Sequence, residues 1–99
     1  MMKADISRLN KFFENRVRLG IMSVLMVNDS YDFNNLKETL GVTDGNLASH
    51  LKALEENKLI RVNKQFIGRK PNTSYSITES GASLFRDHIK ALEDIIRSQ

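Results

Sequence analysis

The feature that most constrains this chain is a run of leucines split by one glycine. Leu36 and Leu40 stand one helical turn apart, Gly41 follows, and Leu47, Leu51 and Leu54 then recur at i, i+4 and i+7. Apolar residues at that spacing share one helix face and must turn it toward a core. Asn34 or Asn35 opens the first of these helices, and Gly41 closes it at the position after the cap, where a positive φ is cheap only for glycine. Thr43 reads as the N-cap of the second helix, with its hydroxyl free to accept from the amide of Gly45 or Asn46. That helix extends to about Asn57. Two short helices joined by Gly41-Val42 make a helix-turn-helix pattern over about 34–57.

Beyond Asn57 the period changes from helical to two. Ile60, Val62 and Phe66 alternate with Arg61, Asn63 and Gln65, which predicts a strand over 60–67 with its apolar side inward. Lys64 falls in the inward register and marks where the strand leaves the core. Gly68-Arg69-Lys70-Pro71-Asn72 is a turn by composition. Tyr75 and Ile77 alternate with Ser74, Ser76 and Thr78, giving a second strand and a hairpin over about 60–78. Thr78 then caps a last helix over about 79–97, with Phe85, Ile89, Leu92 and Ile96 at steps of four, three and four, and Leu84 and Ile95 widening the stripe. Upstream, Ile6, Leu9, Phe12 and Phe13 have helical spacing over Ala4 to Phe13. Asn15 caps a helix from Arg16 to Val27 that carries Val17, Ile21, Val24 and Leu25. Tyr31-Asp32-Phe33 is a very short extended piece. The pattern is mainly α with a small β-hairpin, expected as one domain over 1–99.

Composition narrows the functional classes. The chain has no cysteine, so disulfides, thiolate metal sites and thiol redox sensing are excluded. Its two histidines, His50 and His88, lie on different predicted elements, and no metal-ligand cluster assembles around either. No nucleophile–base pair or phosphate-cradling glycine loop is present, so no enzyme and no cofactor is expected. The longest apolar stretch, Ile21 to Val27, is far too short to cross a bilayer. Asp5, Arg8 and Lys11 interrupt any leader-like run, and a cytoplasmic protein without membrane contact is expected. Fifteen Lys and Arg against twelve Asp and Glu leave a net charge of +3, which permits a polyanionic partner without requiring one.

The second helix of the helix-turn-helix pattern opens with Asp44, Gly45, Asn46, Ala48 and Ser49, all small or hydrogen-bonding. A helix with such a leading end fits a major groove about 12 Å wide, where an asparagine can pair bidentately with adenine and a serine can meet base or phosphate. Lys52, three residues past Ser49 and away from the leucines, suits a phosphate. The same residues cap helices in proteins of every kind, and Asp44 repels phosphate unless capping is its whole role. Taken alone, 34–57 is a DNA-reading pair or an ordinary helical corner. The basic hairpin tip favours the first, because Arg69 and Lys70 are set to reach a backbone or a minor groove.

The run Gly45-Asn46-Leu47-Ala48-Ser49-His50-Leu51-Lys52-Ala53-Leu54-Glu55 resembles the recognition helix of MarR- and ArsR-type winged-helix regulators. Gly68-Arg69-Lys70-Pro71 and Tyr75-Ser76-Ile77-Thr78-Glu79-Ser80-Gly81 resemble their wing and the start of their last helix. The resemblance extends from about Asn15 to the C-terminus and is closest to the short stand-alone members of that group. It implies a winged helix-turn-helix fold with N- and C-terminal dimerisation helices, and a sequence-specific, homodimeric regulator of transcription, a repressor or an activator, that binds double-stranded DNA. By matching position it implies DNA contacts from Thr43, Asp44, Asn46, Ser49, His50 and Lys52 on the helix, and from Arg69 and Lys70 on the wing. The seam at Phe85, Ile89, Leu92 and Ile96 spans barely two heptads. It is therefore expected to pack on the partner's first helix through Ile6, Leu9, Phe12 and Phe13, the other reading being that both stripes close the core of a single chain. His88, between charged neighbours, is expected in solvent or at that interface. An unidentified small-molecule effector is a further partner this reading allows. The alternative function is a winged-helix protein-interaction module that does not bind DNA.

Overall fold

A computed structural model describes residues 4–99. Its elements are α1 (Arg16–Met26), β1 (Tyr31–Asp32), α2 (Phe33–Leu40), α3 (Asp44–Glu56), β2 (Ile60–Ile67), β3 (Lys70–Ile77) and α4 (Glu79–Arg97), preceded by 3-10 turns at Ile6–Arg8 and Lys11–Phe13. The strands form one antiparallel sheet in the order β1-β3-β2. The molecule measures 62 × 25 × 21 Å, long because the β2–β3 hairpin projects past the helices.

Side-chain caps fix most of the boundaries. Asn15 Oδ1 accepts from the amides of Val17 and Arg18 at 2.9 and 3.0 Å and starts α1. Thr43 Oγ1 accepts from Asn46 N at 3.3 Å and starts α3, while Thr78 Oγ1 accepts from Gly81 N at 3.0 Å and starts α4. Each such bond satisfies an amide that the first helical turn leaves without a partner. Gly41, at φ +64°, ends α2 as its left-handed cap. The cap of α2 differs from expectation. It is Asp32, whose carboxylate accepts from Asn35 N at 2.7 Å, so Phe33 joins the helix and Asn34 and Asn35 lie inside it.

The core gathers Phe13, Val17, Ile21, Met22 and Leu25 with Leu36, Leu47, Leu51, Leu54, Leu59, Ile60, Tyr75 and Phe85. All three leucines of the α3 face are buried in it, so the recognition-type helix is held by one side while its other side stays free.

Three further expectations are corrected. The helix over Ala4 to Phe13 is instead two 3-10 turns, with Leu9 extended between them. The Asp5 carboxylate accepts from Ser7 N and Asn10 Oδ1 accepts from Phe12 N, so each short polar side chain restarts the chain and competes with a continuous helix. The turn over 68–72 shrinks to Gly68 and Arg69, because Ile67 already pairs with Lys70, Phe66 with Pro71 and Gln65 with Asn72. Gly68 sits at φ +66° in the first central position, the demand of a two-residue hairpin whose twist matches its strands. Pair alternation then places Pro71 opposite Phe66 in a non-hydrogen-bonded pair, where a missing N–H costs no ladder bond. Finally, Phe66 does not face inward. The core ends near Val62, and from Asn63 onward every residue of β2 is exposed.

Candidate nucleic-acid interface

α3 offers its leading half to solvent. Thr43, Asp44, Gly45, Asn46, Ala48, Ser49 and Lys52 are all exposed, while Leu47, Leu51 and Leu54 anchor the opposite side. At 100° per residue, Gly45, Ser49 and Lys52 share one strip, and Asn46 stands beside it. A Cβ built on Gly45 meets nothing within 4 Å, so nothing in the fold itself calls for a glycine there.

Asp44, the acid that sequence reasoning set against phosphate, is ion-paired. Its Oδ1 lies 2.8 Å from Lys37 Nζ of α2, and this hydrogen bond raises the lysine's pKa above its ordinary value. The pair neutralises the one acidic charge at the leading end of α3 and ties the two helices across the Gly41 turn. Its partner is seven residues upstream, off the helix that carries Asp44, and no spacing rule marked it.

His50 is half-buried and faces α1. Arg18 Nη1 lies 3.2 Å from His50 Nδ1, Arg18 Nε donates to the carbonyl of Phe12 at 2.6 Å, and the guanidinium lies over the Phe12 ring at 4.5 Å. Burial, then the Arg18 charge, lowers the imidazole pKa. This geometry makes His50 a fastening between α3, α1 and the N-terminal segment. Arg18 was missed because its partner is 32 residues away.

The wing carries Arg69 in its turn and Lys70 beside it, both exposed, with Arg61 and Lys64 lower on β2. Among the described residues, none of these cations belongs to an ion pair within 4 Å. A groove of about 490 Å³ runs between the wing and the start of α2, lined by Asp32, Phe33, Asn34, Ile67, Lys70 and Tyr75 among others.

The residues expected at a dimer face divide. Phe13 and Phe85 are 1% and 4% exposed and meet edge to face, with ring centroids 5.2 Å apart, inside the chain's own core. Side chains already covered within one chain add no surface to a partner, so these two are withdrawn from the interface. The N-terminal segment lies on its own α4. Arg8 pairs with Asp94 at 2.8 Å, and Asn10 N donates to His88 Nδ1 at 2.9 Å. His88 is therefore buried, against the expectation of solvent or interface, and its ring meets Phe13 at 5.5 Å. Leu9, Phe12 and Ile89 are half-buried. Ile6, Leu92 and Ile96 remain exposed, with Leu84. No group of three or more His, Asp or Glu side chains among the described residues is placed to hold a metal ion. No helix among them is long and apolar enough to cross a membrane.

A helix held by its leucines, freed at its polar leading end and followed by a basic hairpin is the construction of a winged helix-turn-helix DNA-binding protein. The profile of the winged helix DNA-binding domain matches residues 17–96, and the chain belongs to that family. An uncharacterised protein of Methanocaldococcus jannaschii is 39% identical over 79 residues, which span 80% of this chain and 86% of that protein. The structure of a transcriptional regulator homologue from Pyrococcus horikoshii OT3 superposes with a TM-score of 0.80 at 34% identity, covering 87% of this chain and 85% of that one. The MepR–DNA complex of S. aureus shares the fold at 18% identity, with a TM-score of 0.75 and coverage of 92% and 74%. The winged-helix resemblance holds, and the chain is a DNA-binding regulator of transcription.

Proposed function

We propose that the chain works as a sequence-specific homodimer, with α3 of each copy in a major groove and each wing on the flanking backbone or minor groove. The observation that carries this reading is the leading half of α3, which is exposed, free of bulky side chains, and relieved of its one acidic charge by Lys37. Asn46 then reads a base edge, Ser49 a base or phosphate, and Lys52 a phosphate, while Thr43 caps the helix at the rim of the groove. Asp44 and His50 act on DNA indirectly, by fixing α3 against α2 and α1. Arg69 and Lys70 contact the neighbouring backbone.

The dimer forms through Ile89, Leu92 and Ile96 of α4, joined by Leu84, Ile6 and Leu9. Ile96 is 64% exposed and Leu92 44% exposed on the stripe of α4 that is buried farther back at Phe85, and a second copy would cover that apolar end of the seam. Two-fold symmetry predicts an inverted-repeat operator with half-sites about 34 Å apart. Repression by occluding the promoter is the simplest action of such a dimer. An effector would sit in the cleft of about 440 Å³ between α1 and α4, whose lining includes Met26, Phe85 and Ile89.

Selection of duplexes from a random pool tests this. The expected product is an inverted repeat, and Asn46→Ala is expected to relax the preference at one position per half-site, costing about 1–3 kcal/mol against the wild-type base. Recovery of no consensus, or of single unpaired sites, contradicts the reading.

A further inference from the structure

The wing carries two residues that neither the core nor its charge explains. Phe66 and Ile67 are 73% and 59% exposed, at the end of β2 past the core and next to the Gly68–Arg69 turn, with Ile67 at the edge of the groove that faces α2. The register sets Phe66 beside Pro71 on one face of the hairpin and Ile67 beside Lys70 on the other. The tip therefore carries one large apolar side chain on each face. Its stem is uniformly cationic, because the chain from Asn57 to Thr78 contains no Asp or Glu but five Lys and Arg. An apolar tip on an uncompensated cationic stem is complementary to a surface whose rim is anionic and whose walls are hydrocarbon. The minor groove of DNA is such a surface, with phosphates at its edges and the C–H faces of deoxyribose along its sides.

We propose that the wing enters the minor groove tip first as an apolar wedge, with Phe66 and Ile67 against the two sugar walls and Arg69 and Lys70 on the phosphates at its edges. This deepens the DNA-binding reading above and rests on it. Size gives the proposal its consequence. A ribbon with side chains on both faces is about 10 Å thick, judging by the spacing of packed sheets, whereas an undistorted minor groove is about 6 Å wide. The groove must open, which bends the duplex, and a kink of about 20–90° follows where an apolar side chain also parts a base step. Opening costs least at pyrimidine–purine steps and most in stiff A-tracts. The wing thus selects sequence through deformability, at positions where it hydrogen-bonds no base.

The test uses the best duplex recovered by selection, end-labelled so that energy transfer reports its bend. Variants with either a TA step or an A-tract under the wing are compared. Wild type is set against Phe66→Ser/Ile67→Ser and against Arg69→Glu/Lys70→Glu, with thermal melts confirming that each folds. The apolar double variant is expected to bind about tenfold more weakly, to lose the bend and the preference for the TA step, and to keep the wild-type salt dependence, because no phosphate contact is removed. The charge-reversed variant is expected to bind more weakly with a shallower salt slope. Unchanged affinity and bend in the apolar variant, beside a weakened charge variant, overturns the wedge and leaves the DNA-binding reading standing. Wild-type binding by both variants overturns the wedge and the wing's part in that reading together. A change in the free protein's sedimentation on losing Phe66 and Ile67 makes the tip a protein contact and also overturns the wedge.

Discussion

Gly81→Ala should disable the junction that sets α3, wing and α4 against one another. A Cβ at Gly81 would lie 2.0 Å from the carbonyl oxygen of Leu59 and 2.8 Å from its carbon. That is roughly 1.5 Å inside ordinary contact, and the obstacle is backbone, which cannot rotate away. The same oxygen accepts from Thr78 N at 3.1 Å, and the preceding carbonyl, of Lys58, accepts from the hydroxyls of Thr78 and Ser80 at 2.8 and 3.1 Å. Alanine gains up to about 1 kcal/mol of helix preference. Against that stand overpacking of about 1–3 kcal/mol, at its upper end here, and about 1 kcal/mol for a displaced backbone hydrogen bond. The expected net loss is about 2–3 kcal/mol, which for a domain of this size lowers the melting temperature by about 10–20 °C. Thermal denaturation by circular dichroism measures it, with Gly45→Ala as the control because a Cβ there meets nothing within 4 Å. A Gly81→Ala melt within about 2 °C of wild type would refute the close approach and the reasoning built on it.

Two further outcomes follow from local geometry. Lys58 is the one non-glycine residue with positive φ, at +60°, among the described residues; Lys58→Gly should therefore raise stability by about 1 kcal/mol, read as a higher denaturant midpoint with unchanged slope. Because burial and Arg18 lower the His50 pKa, the unfolded chain takes up that proton first as pH falls. Stability from this group is complete above the unfolded value of about 6.5 and declines below it, toward the folded pKa. Melts at pH 7.5 and 5.0 should differ more for wild type than for His50→Gln, and equal differences would refute the role given to the Arg18–His50 contact.

What was legible in the sequence is what repeats or caps. Leu47, Leu51 and Leu54 gave the buried face of α3 directly, and Asn15, Thr43 and Thr78 gave the starts of three helices, because capping needs only residues two or three positions away. β2 was bounded at Ile60 and Ile67 by its alternation. Periodicity failed where its meaning depends on distant residues. Ile6, Leu9, Phe12 and Phe13 have helical spacing, yet Asp5 and Asn10 offer nearer hydrogen bonds and break the segment into turns. Phe66 continues the inward register of β2 past the point where there is a core to face. His88 looked solvated among charged neighbours, but an amide 78 residues away covers its ring nitrogen. The exposed face of α3 was readable because its buried face was. Its electrostatics were not, since Lys37 and Arg18 act from other helices.

The proposed interface holds duplex DNA through cations on α3 and the wing. The most direct measurement is duplex affinity across a salt series for wild type and for Arg69→Glu/Lys70→Glu. A steep wild-type dependence is expected, with each phosphate contact adding about −0.9 to the slope of log K against log salt. Weaker binding and a slope shallower by about two contacts are predicted for the variant. Affinity indifferent to salt, or equal in the two proteins, would contradict it.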